Sequence, residues 1–146
     1  MSSVHFLSVT DTAGRAFFTR GIEGPIVMLN LLRFRDVADY SASPELAPDT
    51  PITGEQAFQR YIDHTKPFLA SSGGAIRFLG KGGNWLIGPE SEAWDMAMLI
   101  EQESVASFIA WNSHQDYLKG IGHRTAALLD SRLLPLAEMG GNPVRD

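Results

Sequence analysis

Hydrophobic and polar positions in this chain change their period several times, and each change marks an element. Residues 26–35 alternate in two sets. Ile26, Met28, Asn30, Leu32 and Phe34 form one face, and Val27, Leu29, Leu31 and Arg33 form the other. Both sets are largely apolar, unlike an antiparallel strand with one wet face, so this strand is expected to be covered on both sides. Thr53-Gly54-Glu55-Gln56 then fits a capping box. Beyond it the period lengthens, and Ala57, Phe58, Tyr61, Ile62, Thr65 and Leu69 fall on one helical stripe. Pro67 inside that helix predicts a kink or break near Thr65. Ser71-Ser72-Gly73-Gly74 ends it. Residues 75–88 predict a second strand, with a bulge or tight bend at Gly80-Lys81-Gly82-Gly83. Residues 93–101 predict a third, with Trp94, Met96, Met98 and Ile100 on one face.

Ser104 caps a second helix with Val105, Phe108 and Ile109 inward. Ser113-His114-Gln115-Asp116 resembles another capping box, before a short helical piece with Tyr117, Leu118 and Ile121. Residues 123–129 continue as helix or turn, and residues 131–136 form a fourth strand. Upstream, Asp11 and Thr12 can cap a short helix holding Ala16, Phe17 and Phe18, which Gly24-Pro25 closes. Residues 37–53, with Pro44, Pro48 and Pro51, read as a loop. It is long for a small domain, and is either a plain surface excursion or a cover over a site. The tail after Met139 is expected to be loose.

Strand, helix, strand, strand, helix, strand is the split βαβ, or ferredoxin-like, order. The fold class is α+β: one four-stranded antiparallel sheet with two main helices on one face. It forms a single domain over residues 1–146, with its core at 25–137 and an N-terminal extension at 1–24. The second sheet face is apolar too, and a monomer would leave it in water. A second copy packed sheet to sheet, as a two-fold homodimer, is the simplest cover.

Composition narrows the partners. The 146 residues carry a formal net charge of −5, which argues against general attraction to nucleic acid or to anionic membranes. The absence of cysteine excludes disulfide scaffolds, thiolate metal sites and thiol nucleophiles. The first ten residues lack a basic segment followed by an apolar run, and the stretch 26–32 is far shorter than the ~20 residues of a membrane helix. A cytoplasmic protein is expected.

Met28-Leu29-Asn30-Leu31-Leu32, Gly73-Gly74 after a helix bearing Tyr61, and Trp94-Asp95 opening a strand form the first part of an ordered set. Ser113 to Tyr117, His123-Arg124-Thr125-Ala126-Ala127-Leu128 and Asp130-Ser131-Arg132-Leu133 complete it. Together, over residues 25–137, they resemble the domain-of-unknown-function family 1330 of the dimeric α+β barrel superfamily. The resemblance implies a ferredoxin-like protomer and a sheet-to-sheet dimer. It implies no settled reaction. The wider superfamily holds cofactor-free monooxygenases, lactone isomerases, haem-dependent proteins and small-molecule binders.

Several polar residues stand where chemistry would need them. Asn30 is an amide mid-strand between apolar neighbours. If buried it must be hydrogen-bonded, or it costs on the order of 1–3 kcal/mol. It faces either a ligand or a neighbouring loop. Tyr61 sits on the inward stripe, and Trp94 is a packing residue or a ligand platform. His123, Arg124, Asp130 and Arg132 are the densest polar group. His123 or Tyr61 would move a proton, and Arg124 would bind developing negative charge. Asn30, Trp94, Asp130 and Arg132 would line the site. The competing reading is an Arg124–Asp130 salt bridge fastening the last helix to the last strand. The four histidines are scattered and form no metal motif. The glycine run 80–83 lacks phosphate-loop spacing, and there is no Gly-x-Ser-x-Gly elbow. Glu90, Glu92 and Asp95 read as a solvated acidic turn. These residues suit a small enzyme, monooxygenase-like or isomerase-like and without a bound cofactor or metal, acting on an anionic or carbonyl-bearing compound. The alternative is a non-catalytic binder of a small metabolite.

Overall fold

The structure, a computed structural model, describes residues 5–139; the tail from 140 onward lies outside them. Elements follow as α1 (Asp11–Thr19), β1 (Ile26–Phe34), α2 (Gly54–Ser71), β2 (Ala75–Asn84), β3 (Ala93–Gln102), α3 (Val105–Asn112), α4 (Gln115–Leu118), α5 (Ile121–Ala127) and β4 (Leu128–Ala137). The sheet order is β2-β3-β1-β4, and every neighbouring pair is antiparallel. This is the expected ferredoxin-like α+β fold, with one helical crossover before β2 and another before β4. The second crossover is three short helices rather than one.

Local chemistry explains the boundaries. Thr53 and Gln56 close a reciprocal capping box, at 3.0 and 2.9 Å. Gly73 takes φ +80°, the left-handed conformation that ends helices, while Gly74 N–H donates back to Leu69 O at 2.9 Å. Four local expectations are corrected. α2 does not break at Thr65: it runs through Pro67, because its buried stripe of Phe58, Tyr61, Ile62, Thr65 and Leu69 is anchored on both sides of the proline. The bulge in β2 falls between Ile76 and Phe78, so the glycine run lies in regular strand. α1 is capped by Thr10, whose hydroxyl accepts from Ala13 N–H at 3.1 Å. α4 is capped by His114, whose Nδ1 accepts from Asp116 N–H at 3.2 Å; Ser113 only closes α3.

Register divides the sheet into two unlike faces. On the helix side, Leu32 and Met98 pack with Phe58, Tyr61, Tyr117 and Leu128 into one buried cluster. On the other side, pairing lines up Leu134, Leu29, Leu99 and Phe78 in a row across all four strands. Phe78 is 55% and Leu134 53% exposed. Among the described residues the exposed ends of that row have no cover, so the second cover read from the two apolar sets of β1 is not supplied by them.

The long loop is a strap across the helices. Asp39 N–H donates to Ala126 O and Ala38 N–H to Ile52 O, both at 2.9 Å. Tyr40 is buried. A 3₁₀ turn at Pro44–Leu46 rests against α5, where a Cβ on Gly122 would stand 2.5 Å from Ser43 Oγ.

Candidate functional site

Helices α2, α4 and α5 meet over the sheet, and their inward aromatic residues build the candidate site. Tyr61 and Thr65 lie one turn apart on α2 and share its buried face. Tyr117 projects from α4. The Tyr61 and Tyr117 hydroxyls are 2.8 Å apart and buried. Burial, with Tyr61 beside it, pushes the Tyr117 hydroxyl far above the ordinary phenol range, so it keeps its proton. One hydroxyl of the pair donates to the other, which leaves the second proton for another acceptor. The Trp111 ring lies 4.5 Å from Tyr117. Trp111 Nε1 and Thr65 Oγ1 are both buried with no hydrogen-bond partner. Most buried polar groups are satisfied, and two of the four orphaned side-chain atoms among the described residues belong to neighbours of this pair, Trp111 packed on Tyr117 and Thr65 one turn from Tyr61.

A second polar group borders the first. His64 Nε2 lies 2.9 Å from Asp116 O and 3.2 Å from Tyr117 O, which positions α4. Gly120 makes room for that imidazole: a Cβ there would stand 2.2 Å from the His64 ring. Tyr40 and His123 Nδ1 are 2.7 Å apart. Burial, then the Arg60 and His64 charges, lowers the His123 pKa, and burial raises that of Tyr40. The Tyr40 hydroxyl and His123 Nδ1 thus share a hydrogen bond that latches the strap to α5.

The residues expected to converge are placed as follows. Tyr61 and His123 both stand on this helical wall. Arg124 is close enough for its charge to act on Tyr117. Its guanidinium donates to Leu7 O at 3.0 Å and to Ser131 Oγ at 3.5 Å. The Arg124–Asp130 salt bridge does not form. Asp130 pairs with Arg132 at 2.8 Å instead, two residues on along β4 rather than six back. Burial pushes the Asp130 carboxyl up. The Phe6 N–H, Arg132 and the Ser131 N–H outweigh it and hold the group below the usual carboxylate range. Arg132 is stacked between the rings of Phe6 and Trp94, at 4.8 and 4.9 Å. Asn30 donates to Met28 O in its own strand at 3.2 Å. Asn30, Trp94, Asp130 and Arg132 are thus bonded within the protein rather than gathered around Tyr61. The acidic turn is also engaged: Glu92 accepts from Trp94 Nε1 and Asp95 from Phe34 N–H.

Sequence reasoning missed Trp111, Tyr40 and His64, and passed over Thr65 and Tyr117 as stripe residues. Tyr117 and Thr65 did carry a signal, since both are polar on apolar stripes. Tyr40 and His64 become neighbours of α4 and α5 only through the crossover. Among the described residues no cluster of His, Cys, Asp or Glu could hold a metal ion, and no helix is long and apolar enough to cross a membrane.

Fold and site together define a ferredoxin-like α+β protein with a buried aromatic and hydroxyl centre. The chain is 32% identical to the RPA0582 protein of unknown function from Rhodopseudomonas palustris, over 93% of this chain and 98% of that one, with TM-score 0.81. The methylated form of that protein matches at 32% identity over 94% and 98%, with TM-score 0.82. The chain belongs to the family of this Rhodopseudomonas protein. A dimeric protein of unknown function and ferredoxin-like fold from Bacteroides fragilis is 12% identical over 80% of this chain and 99% of that one, with TM-score 0.49. No family model matches, so the family-1330 resemblance gains no support there, and no curated protein matches.

Proposed function

We propose that this protein binds a small, neutral, carbonyl-bearing compound between its sheet and its α2–α4–α5 wall, as a sheet-to-sheet homodimer. The observation that carries the reading is that Trp111, packed on Tyr117, and Thr65, one turn from Tyr61, each bury a polar atom with no partner. The indole N–H can only donate. The Thr65 hydroxyl and the spare tyrosine proton can donate too. Three neutral donors suit one carbonyl or hydroxyl oxygen. A carboxylate would arrive there unneutralised, at high desolvation cost, because Arg124 already holds Leu7 O and Ser131. The dimer rests on the open face, where the Leu134–Leu29–Leu99–Phe78 row needs a cover.

The test is a titration of the protein with aromatic ketones, lactones and quinones, followed by tryptophan fluorescence and by native mass spectrometry. Saturable binding that Trp111→Phe weakens supports the reading. No compound binding, or binding that Trp111→Phe and Thr65→Val leave untouched, defeats it.

One observation favours a catalytic version. Tyr40 Oη and His123 Nδ1 are 2.7 Å apart, so a proton taken up by the imidazole can be shared with the phenol. An isomerase-like proton transfer would then join His123 to the Tyr61–Tyr117 donors. Turnover of a bound carbonyl compound that His123→Gln abolishes while binding persists would establish it.

A further inference from the structure

We propose that the tip of the β2–β3 hairpin is an arm that docks on a second copy of this chain; this rests on the sheet-to-sheet dimer and extends it. Trp85, Leu86 and Ile87 follow directly on β2. They are 40%, 99% and 91% exposed, and Leu86 and Ile87 are the most exposed large apolar residues described. Single exposed apolar residues are ordinary, but three in a row at a hairpin tip need a partner. The tip is shaped before it meets one. Glu92 N–H donates to Pro89 O at 3.2 Å, and the Trp85 ring lies so close over Gly88 that a Cβ there would stand 2.5 Å from it. A pre-organised arm loses little freedom on docking.

Three observations choose a second copy as the occupant. First, the surfaces are continuous. β2 is an edge strand, and its Phe78 belongs to the open face, so one strand joins face to tip. Second, the areas match. At ~150–250 Å² per large side chain, exposed Phe78, Leu134 and Leu136 offer ~220–370 Å². The tip adds ~350–580 Å² on the same scale. The three exposed side chains of the face alone fall short of the ~800 Å² per partner of a standard interface, whereas with the tip the range spans it. Third, the charge disfavours lipid. Glu90 and Glu92 follow the tip and the net charge is −5, whereas apolar anchors at anionic membranes are flanked by Lys and Arg.

The chain has no cysteine, so Leu86→Cys accepts a single benzophenone maleimide. Irradiation at the dimer's working concentration is expected to give a covalent dimer, and peptide mapping to place the link on the partner chain. By sedimentation, Leu86→Ser with Ile87→Ser is expected to weaken the dimer at least about a hundredfold, since four large apolar side chains per assembly return to water. Both positions are exposed, so the fold survives the change. A dimer of wild-type affinity that gives no interchain link overturns the arm and leaves the sheet-to-sheet reading standing. A wild-type monomer, indifferent to Leu134→Asp, overturns that reading and the arm with it. Binding to phosphatidylcholine vesicles that the double serine variant abolishes, without interchain linking, overturns the arm in favour of lipid.

Discussion

Thr65→Val is the perturbation that tests the site most directly, because two accounts of Thr65 give opposite signs. Thr65 is 7% exposed, and its hydroxyl has no hydrogen-bond partner. Valine has nearly the same shape, and its helix propensity is close to that of threonine. Leaving a buried hydroxyl unpaired costs ~1–3 kcal/mol. Removing it relieves that cost, so the ligand-free protein should gain about 1 kcal/mol. For a chain of 146 residues that is a rise in Tm of ~3 °C. Calorimetry at fixed protein concentration measures it, since a dimer's Tm depends on concentration. With a carbonyl compound bound, the sign reverses: the variant loses a donor, and its Tm gain on adding the compound shrinks. A ligand-free Thr65→Val protein that melts lower than wild type would refute the reasoning. It would mean that Thr65 is satisfied and that no vacancy for an acceptor exists beside it.

Other expectations follow from the same geometry. Tyr117→Phe leaves the Tyr61 hydroxyl buried and alone, for a loss of ~1–3 kcal/mol, while the Tyr61→Phe, Tyr117→Phe double variant should cost less than the single changes summed; denaturant titration of the cycle reads the coupling. Leu134→Asp puts a charge into the central row of the open face and should shift sedimentation from dimer to monomer without loss of helical circular dichroism. Gly120→Ala drives a methyl into the His64 ring, which is backed by two carbonyls and cannot retreat, for about 1–3 kcal/mol. The folded protein holds His123 below its ordinary value near 6.5, so it takes up that proton less readily than the unfolded chain. Stability contributed by neutral His123 is present above about pH 6.5 and is lost as pH falls through that value toward the lowered one. His123→Gln should flatten the Tm-versus-pH curve in that window, and an unchanged slope would exclude His123 as its source.

The fold was legible because its signals are local. Two apolar sets in β1, the Thr53–Gln56 box and the change of period at Gly73-Gly74 each act within a few residues. The failures have equally local causes. Pro67 reads as a breaker, yet α2 continues through it, with its buried apolar stripe on both sides. The glycines at 80–83 read as a bulge, but the irregularity sits at Arg77, where nothing in composition marks it. The site was less legible because its contacts are remote in sequence. Tyr61 meets Tyr117 across 56 residues, and Tyr40 meets His123 across 83. Asp130 was read against Arg124 because the two are near in the chain, whereas strand geometry and a guanidinium stacked between two rings favour Arg132.

The pairing of Asp130 with Arg132 has a consequence for what the protein can recognise. The Asp130 carboxylate accepts from Arg132, from Ser131 N–H and from Phe6 N–H, each at 2.8 Å. Ser131 Oγ donates to Phe6 O at 2.5 Å, and Arg124 donates to Leu7 O. The polar group that looked like an anion-binding centre is therefore the clamp that holds the N-terminal segment onto β4. An anion entering there would have to displace Leu7 O from Arg124 or Asp130 from Arg132, and would leave a buried acceptor unpaired. What remains uncommitted around the tyrosine pair is neutral, an indole N–H, a threonine hydroxyl and one tyrosine proton, while Arg35 Nε and Gln102 Nε2 are the other buried side-chain groups without a partner among the described residues. On the proposed reading, a preference for an uncharged acceptor would follow from the commitment of Arg124 and Arg132 to the protein's own groups. Freeing Arg124 by removing the segment that carries Leu7 should cost stability and at the same time move the ligand preference toward carboxylates.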